Sequence, residues 1–111
     1  MKNYVQPGNT ITLTAPYAVA SGDGLLVGSI FGIAAGAAAL GEPVETALVG
    51  VFEITKVGSQ AWTMGAKIYW DDTNKRCTTV ATDNTLIGVA VEAVASGAGD
   101  TLGPVRLNAA F

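Results

Sequence analysis

Apolar and polar positions change over every few residues along this chain, and the runs between Gly, Asn and Asp are too short for packed helices. Ile11 and Leu13 alternate with Thr12 and Thr14, which predicts a strand with one apolar face. Residues 25–33 read as two short buried strands around Gly28 and Ser29. A longer strand is expected over residues 44–56. Leu48, Phe52 and Ile54 share one parity there, while Val49, Val51 and Val57 take the other. Two apolar faces suit a strand held between a barrel interior and a neighbouring subunit, and a change of register at Gly50 gives the same pattern. Residues 67–70 and 76–80 flank Asp71, Asp72, Thr73, Asn74 and Lys75, a hairpin turn by composition. Strands over 86–95 and 105–108, joined by the glycine-rich 96–100, complete the series, and only residues 34–40 look helical. The fold expected is all-β, a single small β-barrel or compact β-sandwich. Pro7 and Gly8 interrupt regular structure, so residues 1–9 form an N-terminal arm and residues 10–111 one β domain with no internal repeat.

One stretch competes with this picture. Residues 24–41 carry no charge, and Gly24, Gly28, Gly32 and Gly36 recur at four-residue spacing, the small-residue pattern of membrane helix pairs. Yet the stretch holds five Gly and five Ala, is bounded by Asp23 and Glu42, and lacks Lys, Arg, Tyr or Trp anchors at its ends. The expectation is that the chain does not enter a membrane.

Composition narrows the function. Six Lys plus Arg against nine Asp plus Glu give a formal charge of −3, with no run of either sign. Duplex binding draws its affinity from a clustered basic face, so no direct nucleic-acid partner is expected. Charged residues are only 14% of the chain, against roughly 25% in ordinary soluble domains, which suggests a surface partly covered by another protein. Histidine is absent, which removes the commonest general base and neutral metal ligand. Cys77 stands alone, so neither an internal disulfide nor a cysteine-based zinc site can form, and no metal or cofactor is expected. In the run Arg76, Cys77, Thr78, Thr79, Val80 it reads as a small apolar side chain. The first eight residues lack the apolar run of a signal peptide, so synthesis in the cytoplasm is expected.

Each residue with chemical potential has a plainer role. Asp71 and Asp72 suit a solvated turn better than a cation site, because neighbours on a strand point to opposite faces. Glu42 and Glu45 suggest no acid and base pair, and Glu53 lies mid-strand, where exposure or a partner such as Lys56, Lys67 or Arg106 is expected. Ser21, Gly22, Asp23 and Gly24 form a turn, since a serine nucleophile has no histidine to activate it. Trp62 and Trp70 lack the polar companions of a sugar or base platform, so core packing or a subunit contact is expected.

Several phrases, in order, run the length of the chain: QPG at residues 6–8, SGDG at 21–24, VGSIFGIA at 27–34, GVFEITK at 50–56, YWD at 69–71, NTLIGVAVEA at 84–93 and VRLN at 105–108. Together they resemble the capsid cement proteins of tailed bacteriophages and prophages. Members of that family have been catalogued as recombinases, a label these residues do not support. A nucleotide-dependent recombinase needs a glycine-rich loop closing on Lys and Ser or Thr, whereas Gly65, Ala66 and Lys67 are followed by Ile68. The resemblance implies a non-catalytic virion protein on the outer head surface that stabilises the expanded capsid. It further implies the major capsid protein lattice as partner, a homotrimer at least on the capsid, and assembly in the host bacterial cytoplasm. By the same resemblance Lys2, Asn3, Tyr4 and Val5 form a capsid-binding arm. Phe31, Trp62 and Trp70 are candidate subunit or partner contacts. A second reading is a receptor- or glycan-binding module displayed on a virion, with Trp62, Tyr69 and Trp70 as its platform.

Overall fold

The computed structural model describes residues 9–108; the expected arm residues Lys2, Asn3, Tyr4 and Val5 lie outside them. Nine strands and no helix occur among the described residues, in two antiparallel sheets, and the all-β expectation is borne out. No helix is long and apolar enough to cross a membrane.

The first sheet has the order β1-β4-β3-β2 and holds β1 (Thr10–Thr14), β2 (Gly24–Val27), β3 (Ile30–Ala34) and β4 (Pro43–Ala47). The second has the order β5-β9-β8-β6-β7 and holds β5 (Val51–Thr55), β6 (Lys67–Asp71), β7 (Arg76–Thr78), β8 (Thr85–Ala90) and β9 (Leu102–Leu107). The second sheet curls until its edge strands meet. Lys56 and Cys77 form a parallel bridge there, with the Val57 N–H donating to the Cys77 carbonyl at 3.0 Å.

Residues 24–34 of the uncharged stretch are the β2–β3 hairpin that the apolar run around Gly28 and Ser29 predicts. Gly28, at φ 60°, supplies the left-handed turn residue. The expected strand over 44–56 is instead two strands in different sheets. The chain turns at Gly50, whose φ of 123° breaks the extended run, so Val44 and Ile54 enter separate cores. That break explains the two apolar parities: Val49 and Val51 flank the crossing and are exposed, while Leu48 and Ile54 are buried. The helical look of residues 34–40 also fails. Alanine favours helix weakly, and here the pairing of Val19 with Ala38 by two backbone hydrogen bonds, 2.9 and 3.0 Å, lays the segment over the first sheet. The strand expected over 86–95 ends at Ala90, and the last strand starts earlier than 105, at Leu102.

Two apolar cores result. On one face of the first sheet, Leu25, Ala34 and Val44 pack with Ala15, Val19 and Ala38 from the covering loops. Between the sheets, Phe31 and Ile33 join Trp70, Ile68, Ile87 and Val105 of the second sheet. Trp62 closes the end of this main core. Its Nε1–H donates to Gln60 Oε1 at 3.0 Å, and a Cβ on Gly103 would stand 2.3 Å from its ring, so only glycine fits beneath it.

Trp70→Ala removes the largest side chain at the junction of the sheets and is expected to cost about 3–5 kcal/mol, read from urea unfolding monitored by far-UV circular dichroism.

Candidate functional site

Side chains capable of chemistry are spread through this structure and tied into it. Among the described residues, no group of three or more His, Cys, Asp or Glu could hold a metal ion. Cys77 is fully buried, and desolvation pushes its thiol up to about 12, far from the thiolate a nucleophile requires. Asp71 and Asp72 do not converge. Asp71 caps the hairpin turn, accepting from Thr73 N–H at 3.1 Å, Asn74 N–H at 3.2 Å and Asn74 Nδ2 at 2.8 Å. Those bonds, that from the Asn74 side chain foremost, hold its carboxyl below the usual range. Asp72 accepts from Trp70 Nε1 at 3.0 Å and pairs with Lys75 at 3.1 Å, the only ion pair among the described residues.

A cavity of about 160 Å³ lies where the sheets meet, lined by Tyr17, Asp23, Gly24, Thr55, Trp70 and Lys75. Its volume is well below the roughly 300 Å³ at which small-molecule sites begin. Its polar groups are already engaged: the Tyr17 hydroxyl donates to the Gly24 carbonyl at 2.8 Å, and the Lys75 ammonium lies 4.1 Å from the Tyr17 ring centroid. Burial first, then the charge of Asp72, pushes the Tyr17 phenol up to about 12. The cavity is a seam between the sheets.

Lys56, one of three partners expected for Glu53, is 1% exposed. It lies at the closing bridge of the second sheet, on the strand parity that points inward with Ile54. Its ammonium donates to the Val57 carbonyl at 2.8 Å and the Asp100 carbonyl at 3.2 Å, and sits 5.5 Å from the Trp62 ring centroid. Backbone carbonyls and a π face replace water around the charge, and the contact fastens the 96–100 loop to the end of β5. Glu53 is exposed. Phe31, Trp62 and Trp70 are all buried in the main core, with their rings engaged inside the one chain. Trp62 and Trp70, at 2% exposure each, offer no flat aromatic platform to a glycan or base.

What remains for recognition is surface, and the first sheet's is unusual. Residues 9–48 hold Asp23, Glu42 and Glu45 and no Lys or Arg. Glu45 stands on the exposed face of β4 opposite Thr12, whose hydroxyl donates to its carboxylate, with Thr10 and Thr14 exposed beside it. Nothing in the alternation of Thr10–Thr14 announced this ledge; the signal present was a strand without charge, proline or glycine.

These features define a small, tightly tied all-β body whose ionisable groups cap turns, fasten loops and mark surfaces. A family model for phage cement proteins matches residues 5–107, and the chain belongs to that family. It is therefore a structural protein associated with the phage capsid. No curated protein and no solved structure matches it.

Cys77 and Tyr17 both keep their protons longer in the folded chain than in the unfolded one. Their ordinary values of 9.0 and 10.0 rise to about 12, so their contribution is complete below pH 9 and is lost as pH climbs towards 12. Stability from urea titrations is expected to fall across that window. A thiol reagent at pH 8 is expected to leave Cys77 untouched until guanidinium is added; rapid labelling of the folded protein would contradict its burial.

Proposed function

We propose that this protein is a head-decoration subunit that docks on the outer surface of the phage capsid after expansion and stabilises the shell without catalysis. The observation that carries the reading is the family match over residues 5–107. The tied, two-core body supports it, since every aromatic ring and loop fastening described above stiffens a subunit rather than shaping a reaction site. Residues 10–111 are the docking body and residues 1–9 the arm, with Lys2, Asn3, Tyr4 and Val5 contributing capsid contacts. Phe31, Trp62 and Trp70 serve the contact from within, by holding the surface strands in register.

Mechanically, such a subunit spans junctions of the major capsid protein lattice, as a homotrimer on the shell. Each contact is weak. Several contacts on a fixed lattice reinforce one another, because the first raises the effective concentration for the next. Binding that only the expanded shell offers shifts the equilibrium towards that shell, so the head resists internal pressure with no bond made or broken. The subunit is made in the host cytoplasm and ends on the virion.

Mixing the purified protein with expanded heads that lack it, pelleting the heads and quantifying the bound protein tests this. Saturable binding at a fixed ratio to the capsid protein is expected, with little on unexpanded shells. A chain lacking residues 1–5 is expected to keep its thermal midpoint and lose most head binding; absence of binding by the full chain at every concentration would overturn the proposal.

A further inference from the structure

Apart from Lys2, the cations of the chain all lie among the described residues. Three are engaged inside the chain: Lys56 is buried against backbone carbonyls, Lys75 pairs with Asp72, and Arg76 faces Asp71 across the β6–β7 hairpin. Lys67 and Arg106 are different. Both are exposed, and no ion pair or side-chain hydrogen bond among the described residues holds either of them.

The register brings these two into one row. Ile54, Ile68, Ala90 and Val105 fill the inside of the curled second sheet, so the alternate positions face out. Lys67 stands opposite Val89, Val89 opposite Arg106, and Arg106 opposite Val51, on the adjoining strands β6, β8, β9 and β5. Cationic and apolar side chains therefore alternate across the outer face, and the two cations are two strand spacings, roughly 10 Å, apart. Tyr69 and Leu86, opposite each other, extend the apolar part beyond Val89; Leu86 is 41% exposed and Val51 55%. Glu53 shares the face but stands opposite Pro104, in another row, and makes no ion pair with Arg106.

We infer that the row of Lys67, Val89 and Arg106 docks an acidic patch of the capsid protein, in which two separate carboxylates flank an apolar group. The inference rests on the reading of the chain as a head-decoration subunit and adds the face of the body that meets the shell. Charge sets the sign of the partner: neither cation has an acid of its own chain, so an incoming carboxylate displaces only water. Charge also sets the orientation. Residues 9–48 carry Asp23, Glu42 and Glu45 and no cation, so the same carboxylates are repelled by the first sheet and drawn to the second. The separation of the cations is too wide for one small anion and suits two groups fixed on a surface. DNA fits the row poorly, because Glu53 lies on the same face and the formal charge of the chain is −3. Val89, Leu86 and Tyr69 give the contact apolar area to bury, inside a rim that carries the charges.

Expanded heads that lack the protein are the probe. Lys67→Gln combined with Arg106→Gln alters only exposed positions and is expected to keep the thermal midpoint. The double variant is expected to bind heads at least about tenfold more weakly than the wild type, with a flatter dependence on salt. Glu92→Gln, at an exposed acid outside the strands, is expected to change neither binding nor midpoint. Zero-length carbodiimide coupling of the wild type on heads, read by peptide mass spectrometry, is expected to join Lys67 to an Asp or Glu of the capsid protein. That readout needs no variant to fold. Absence of head binding by the wild type would overturn the proposed function and this inference together. Wild-type binding matched by the double variant, or Lys67 coupled only to a second copy, would overturn the docking face and leave the proposed function standing.

Discussion

Trp70 and Phe31 are where the two sheets become one body. Their ring centroids are 5.0 Å apart and tilted by 50°, a favourable arrangement for two aromatic quadrupoles, and both rings are buried. The contact depends on the absence of a side chain at Gly24, where a Cβ would stand 2.9 Å from each ring. It also depends on Asp72, which receives the indole N–H and holds it at the hairpin end of β6. Lys75, paired with Asp72, then reaches back over Tyr17 on the first sheet's side. One aromatic junction and one turn thus set the relation between the first sheet and the curled second one.

The second sheet solves a different problem at its far end. Curling brings β5 and β7 together, and the seam must admit Lys56, a side chain too long and polar for the apolar interior. Two carbonyls and the face of Trp62 accept it, and the same carbonyl set draws in the 96–100 loop. Gln60 extends the seam by bonding Thr78, Thr79 and Trp62 together. The residues with most chemical potential are in this way spent on closing the fold, in keeping with a protein whose work is contact.

Much of the fold was legible because its turns are written locally. Gly28 and Ser29, and the run from Asp71 to Lys75, specify hairpins through their own backbone preferences and bonds, so the turn residues and the short apolar runs beside them placed β2, β3, β6 and β7 well. The crossing at Gly50 was legible only as an alternative, because a glycine between valines is silent about which sheet each side joins. Residues 34–40 misled for a related reason: alanine reports helix propensity, while the Val19 pairing that straightens them comes from elsewhere in the chain. The burial of Lys56 left no trace in its neighbours, since its partners are backbone groups with no sequence identity. The ledge of Thr10, Thr12, Thr14 and Glu45 required the β1–β4 register before it existed as a surface.

That register also decides how the body bears force. Residue 9 leads directly into β1, and all of β1 lies against β4. A pull delivered along the strand axis through the N-terminal end loads every rung of that ladder together, in shear, whereas a pull across the sheet opens the rungs one at a time. A tether attached at this end is therefore strong along one direction and weak along another, and the orientation in which a subunit sits fixes how much tension it carries before its first strand slips.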